Sequence, residues 1–289
     1  MDKKDIKALI HLLDDPDREV STVVTGNLRE MGTDVIPELE SAWEKSIDQR
    51  QQELIENIIQ DIQFRNVKKN LISWKESGAE DLMEGVCWIA RYQYPHLETE
   101  KVRREIDRIS GDVWLELNHK LTALEKVRIM NQIIYDIHKF SREVQNVYAP
   151  RNSYINLVLE SKKGNPVSLA IIYLLVAKSL GIPIYGVSLP KIFILAYMDE
   201  KITSRKRTST HEVLFYINPF SRGAVLGRKE IDHYLASQKF EAENSFYEPC
   251  SNEEIIRRLV LNLIVSYEKL GFPEKIRDLQ ELLKILKQE

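Results

Sequence analysis

Residues 164–183 read GNPVSLAIIYLLVAKSLGIP: a turn, an apolar helix over about 166–180, and a stop at Gly181 ahead of Pro183. Such a helix must be buried, so the chain around it has to supply its covering. Three short runs rich in β-branched and aromatic residues follow, IYGVSL at 184–189, IFILAYM at 192–198 and EVLFYI at 212–217. The last two are expected to pair as an antiparallel hairpin. With Met198 facing Glu212, stepping back along each strand sets Ile192 opposite Asn218 on one face of the sheet.

The rest of the chain is patterned for helices. Ile6, Leu9, Ile10 and Leu13 form an apolar stripe in a helix over about 3–13. Asp15-Pro16-Asp17 punctuates the chain before a second helix at 17–31, and Gly32 closes that one. Val35-Ile36-Pro37 starts a third, through Leu39 and Trp43, and a fourth spans about 48–64. The succession LLDDPDREV, helix, Gly, VIPELE resembles a HEAT-type helical repeat, whose stacked helices leave a concave face for partners. Further helices are expected at 81–97, from a Thr99 cap onward, at 122–140 and at 228–237. After a Ser251-to-Glu254 capping box come two more, divided by Gly271 before Pro273. Leu259, Asn262, Leu263, Tyr267, Leu270 and Gly271 resemble half of a tetratricopeptide-type hairpin, which would cap the core.

With 289 residues, 43% hydrophobic and 29% charged, the chain suits a globular protein of about two domains or one elaborated domain. A formal net charge of -3 supplies no global field for nucleic acid or anionic lipid. The opening MDKKDIKALIHLLDD has charges on both sides of a short apolar run and fits neither a signal peptide nor a membrane span, so a cytoplasmic protein without membrane partners is expected. Cys87 and Cys250 are far apart and lack metal-ligand spacing. The six histidines show neither HxxxH nor HExxH, so no metal and no cofactor is predicted. Lys201, Arg205, Lys206 and Arg207 form a basic loop, read as solvated. Without interleaved aromatic residues it argues against nucleic acid as a partner.

The blocks DLMEGVCWIARYQYP, RNSYINLVLESKKGNPVSLAIIYLLVAKSLGIPIYGVSLP and FILAY, followed by INPF, are similar to the bacterial transglutaminase-like family of the invasion-regulator-B type, over roughly residues 80–270. The resemblance implies an α+β fold, predominantly helical. Its transglutaminase- and papain-like core would carry a small antiparallel sheet (76–245), with HEAT-like helices before it (1–75) and a TPR-like hairpin after it (246–289). In that family design a nucleophile opens a buried helix, and a His and an Asp follow on neighbouring strands. A helix N-terminus activates the nucleophile, the imidazole moves its proton and the carboxylate orients the imidazole.

Carried over by the resemblance, the nucleophile's place falls on or beside Ser168, the His position reads Ile192 within Pro190-Lys191-Ile192-Phe193, and the Asp position reads Asn218. An aliphatic side chain cannot accept the hydroxyl proton, so the expectation is a non-catalytic relic, a pseudoenzyme acting as a protein-interaction or regulatory module with an unidentified protein partner. His211, about 20 Å along its strand from Asn218 at 3.3 Å per residue, cannot take the missing place. The alternative is a serine- or thiol-dependent hydrolase or acyltransferase with a base from elsewhere. Arg151, Asn152 and Ser153 match the family too. With Asn165 and Ser168 they either border the relic pocket or form a structural hydrogen-bond network.

Overall fold

The computed structural model describes residues 3–15, 17–199 and 213–287. The chain divides into two compact units, Met1–Ser73 and Trp74–Glu289. It is mostly helical with a small antiparallel sheet.

In the first unit α1 (Lys3–His11), α2 (Arg18–Glu30), α3 (Ile36–Lys45) and all but the last three residues of α4 (Gln49–Glu76) follow one another. The Asp17 carboxylate caps α2 by accepting from Glu19 N. Ile10, Leu13, Leu28, Leu39, Ile55 and Ile58 belong to the shared core, so the stripes read from the sequence are the buried faces. α4 runs well past residue 64, where its pattern was expected to end. Val67, Leu71 and Trp74 prolong the apolar stripe between charged residues and are buried.

The second unit is organised around α9 (Pro166–Ser179), whose residues Val167 to Ala177 are all buried. Before it come α5 (Leu82–Arg91), α6 (Thr99–Glu116), α7 (Ala123–Asn131) and α8 (Ile155–Ser161). Thr99 is the first residue of α6 and does not cap it. Glu98 occupies the cap position without a side-chain capping bond. The single helix expected at 122–140 is α7, opened by a Thr122–Glu125 capping box, followed by a π-helical turn at Gln132–Ile137. That turn closes with His138 N donating five residues back to Ile133 O. Two residues of β1 (Ser141–Arg142) pair in parallel with β2 (Lys163–Gly164) just ahead of α9.

The main sheet runs β3 (Ile184–Ser188), β4 (Phe193–Met198), β5 (Val213–Asn218), β6 (Ala224–Leu226), every neighbour antiparallel. β6 is too short to have stood out by period. The hairpin is the expected one, but its register is not. An irregularity at Tyr197/Met198 shifts the pairing, so that Leu195 faces Ile217 and Met198 faces Val213. Continued one step, that register sets Asn218 across from Ile194, not Ile192.

One sheet face carries Val187, Ile194, Ala196, Met198 and Tyr216 against Ile231 and Leu235 of α10 (Arg228–Ser237). The alternate set, Phe193, Leu195 and Tyr197, is equally buried and faces α9, where Tyr197 lies close enough to Tyr173 to act on its phenol electrostatically. α11 (Asn252–Leu270) and α12 (Pro273–Ile285) complete the unit as a helical hairpin, with Gly271 left-handed at the end of α11. Ser251 caps α11 by accepting from Glu254 N. The Glu254 side chain, instead of closing the box, receives Ser188 Oγ at 3.0 Å and Arg257.

Candidate functional site

β2 delivers the chain into α9 through Gly164 and Asn165, and the local sequence fixes how that turn closes. Pro166 occupies the first turn, where a missing N–H costs nothing. The Asn165 carboxamide oxygen accepts from Val167 N (3.0 Å) and Ser168 N (2.9 Å), and Ser168 Oγ returns to accept from Asn165 N at 3.0 Å. Ser168 is 1% exposed. Its hydroxyl has backbone acceptors, Asn152 O at 2.6 Å and Asn165 O at 3.2 Å. No titratable side chain is bonded to it among the described residues.

The residues around that hydroxyl interlock. Asn165 Nδ2 donates to Ser153 Oγ at 2.8 Å, and Asn152 Nδ2 donates to Asn146 O at 2.7 Å. Asn152 and Ser153 are buried, at 3% and 2% exposure. Of the five residues proposed around the helix start, Asn152, Ser153, Asn165 and Ser168 form one bonded network, while Arg151 is exposed.

Ile192 packs with the cluster on the α10 face of the sheet, whereas Ser168 opens the helix that covers the other face. Its carbonyl and that of Leu189 accept from Arg258 Nη2 at 3.1 and 2.9 Å, and Pro190 O accepts from Tyr234 Oη at 2.9 Å, which pins the turn between β3 and β4. Asn218 works as a turn cap, its carboxamide oxygen accepting from Phe220 N and Ser221 N. The 218–223 turn is further held by Tyr135 Oη on Pro219 O (2.9 Å) and Asn131 Nδ2 on Gly223 O (2.9 Å), with Tyr173 Oη of α9 on Asn131 Oδ1 (3.1 Å). This clamp was not among the expected features. Its signal was two tyrosines, Tyr135 and Tyr173, inside apolar helical stretches, where a buried phenol needs a partner.

Neither thiol is primed. Burial pushes the Cys87 thiol up to about 11 against the opposing bond from Thr99, and burial followed by the Glu254 charge takes Cys250 up to about 12. Burial thus works against the helix start beside Cys250. Cys250 lines a cleft of about 710 Å3 with Leu174, Lys178, Ile184 and Asn252, away from the start of α9. His138 Nε2 meets Asp112 Oδ2 at 2.7 Å, a pair of the type that orients an imidazole, yet it is not among the partners of Ser168. Lys201, Arg205, Lys206, Arg207 and His211 lie outside the described residues. Among the described residues no cluster of His, Cys, Asp or Glu is arranged to hold a metal ion, and no helix is long and apolar enough to cross a membrane.

The family model for the transglutaminase-like superfamily matches residues 100–261, which include α9, its capping network and β3 to β6. The chain belongs to the transglutaminase-like superfamily. A UPF0162 protein of Xylella fastidiosa is 32% identical over 161 residues, 52% of this chain and 50% of that protein. A UPF0162 protein of Pseudomonas aeruginosa is 24% identical over 210 residues, 71% of this chain and 72% of its own. Human F-box only protein 21 is 28% identical over 156 residues, 53% of this chain and 24% of that longer protein. The chain thus spans about half the length of the first curated relatives it matches. No solved structure matches it.

Proposed function

We propose that this superfamily member is non-catalytic and serves as a protein-interaction or regulatory module, with its HEAT-like N-terminal helices as the partner-binding part and its TPR-like C-terminal hairpin as a cap on the core. The observation that carries the reading is the Ser168 hydroxyl, buried and, among the described residues, bonded only to backbone atoms of Asn152 and Asn165. A serine nucleophile needs a base within about 3 Å, and here an N-cap occupies that geometry. Ile192 on the opposite sheet face and Asn218 engaged in capping its own turn add to the case. The raised thiols weigh against a cysteine-dependent hydrolase.

Two observations support a binding role. Between α3 and α4 a groove of about 470 Å3 is lined by Glu40, Trp43, Glu44, Glu56 and Ile59, an indole among carboxylates that suits a basic segment of a partner. The match within F-box only protein 21 covers a quarter of that protein, which fits a domain used as a module inside longer chains.

The purified full chain is expected to show no acyl transfer or ester hydrolysis above background, and Ser168→Ala is expected to leave that baseline unmoved. Turnover that disappears in Ser168→Ala would overturn the proposal. Partner capture by the full chain that is lost in Trp43→Glu, with unfolding temperature unchanged, is the positive counterpart.

A further inference from the structure

A pocket of about 340 Å3 adjoins the 218–223 turn, lined among others by Tyr135, Ser141, Arg142, Phe220, Ser221 and Arg222. This volume is at the small end of ligand sites, about 300 Å3 upward. Its framework is fixed before any ligand arrives, because Tyr135 is bonded to Pro219 O, Asn131 to Gly223 O and the Asn218 carboxamide to the N–H groups of Phe220 and Ser221.

The charge on the lining has one sign. Arg142 and Arg222 contribute guanidinium groups, and no lining residue is acidic. Two neighbouring carboxylates are already engaged: Asp136 pairs with Arg222 of the lining itself, while Glu143 accepts from Gln145 N at 2.7 Å and lies 3.6 Å from Lys163 Nζ. Asn218, at the root of the turn, is uncharged. Arg142 is exposed, and its side chain makes no hydrogen bond or ion pair within the described residues, nor do the hydroxyls of Ser141 and Ser221. Donors without partners thus meet two aromatic rings in one small concavity.

We propose that this pocket binds an oxyanion, a phosphoryl or carboxylate group carried on a small aromatic or apolar body. The guanidinium fork of Arg142 matches two oxygens of either group, the serine hydroxyls supply further donors, and Phe220 with Tyr135 covers the body. Arg222 divides its charge between Asp136 and the ligand. The site uses residues outside the Ser168 network, so it does not depend on the partner-binding role proposed above.

Calorimetric titration of the full chain at low salt with inorganic phosphate, phenyl phosphate and benzoate tests this. Phenyl phosphate or benzoate is expected to bind more tightly than inorganic phosphate, and the preference between the two aromatic probes identifies the headgroup. Arg142→Gln is expected to weaken binding roughly tenfold, the equivalent of one charge-assisted hydrogen bond, without shifting the unfolding temperature. Asn218→Asp, which keeps the turn cap but adds a negative charge beneath the pocket, is expected to weaken it as well. Absence of heat from all three probes at millimolar concentration, or binding that both variants leave intact, overturns the proposal.

Discussion

Two turns at the edge of the α9 core differ in how they settle their polar groups. At 164–168 the Asn165 oxygen, the Ser168 hydroxyl, the Ser153 hydroxyl and the Asn152 backbone satisfy one another and the site is closed. At 218–223 the backbone is equally well held, by Asn218, Asn131 and Tyr135, but the adjoining side chains of Ser141, Arg142 and Ser221 keep donors that have no protein partner among the described residues. The contrast separates rigidity from saturation. A rigid turn whose own groups are all bonded has only a structural role left, whereas a rigid turn beside unmatched donors can receive a ligand.

Loosening the second turn is expected to have the largest effect. Gly223 has φ +72, and a Cβ there would fall on the Asn131 carboxamide, which must then leave both Gly223 O and Tyr173. Gly223→Ala is therefore expected to cost about 3 kcal/mol or more, read as a fall in the denaturant midpoint. A cost below about 1 kcal/mol would show that the clamp does not hold the turn.

The first turn is tested next through its own glycine. A Cβ on Gly164 would sit 2.5 Å from Ser168 Oγ and 3.1 Å from Leu169 Cγ, so Gly164→Ala is expected to cost about 2 kcal/mol. Because the nearest clash is with a hydroxyl oxygen, combining it with Ser168→Ala should recover part of the loss, a coupling of about 0.5–1 kcal/mol in a double-mutant cycle. Strict additivity would mean that Ser168 is not packed against the turn as described.

A smaller effect distinguishes cap from nucleophile. Ser168→Ala deletes the hydroxyl that bonds Asn152 O and Asn165 N, with an expected loss of about 1–2 kcal/mol by chemical denaturation. A nucleophile can be removed with little effect on stability, or even with a gain, whereas a cap cannot. An Ala variant as stable as the parent would therefore revive the catalytic alternative.

How far the sequence made these turns visible follows from the range of the forces involved. α9 was legible because an apolar run bounded by Asn-Pro and Gly–Ile–Pro specifies burial, start and stop locally. So were α10 and the Ser251 cap. The register of β4 with β5 was not, since it is set by the irregularity at Tyr197/Met198, next to residues where alternation alone gives no warning. The chemical identity of Ser168, Ile192 and Asn218 could be read, but their mutual placement could not. Alternation set Ile192 and Asn218 on one face, yet nothing local showed that α9 covers the other. The Asn131–Gly223 bond spans 92 residues, beyond the reach of any periodicity.

The finest test leaves both backbones intact and changes one charge. Asn218→Asp retains an oxygen to accept from Phe220 N and Ser221 N, so its effect on stability at neutral pH is expected to stay within about 0.5 kcal/mol. The new carboxylate gains two N–H donors on folding, which lowers its pKa below the unfolded value. Its contribution is then present above about pH 4 and lost as the pH falls through the folded value. The variant should accordingly match the parent at pH 7 and fall behind it toward pH 3, while oxyanion binding is already weaker at pH 7. Stability and binding that move together at neutral pH would mean that the second turn, like the first, is structure alone.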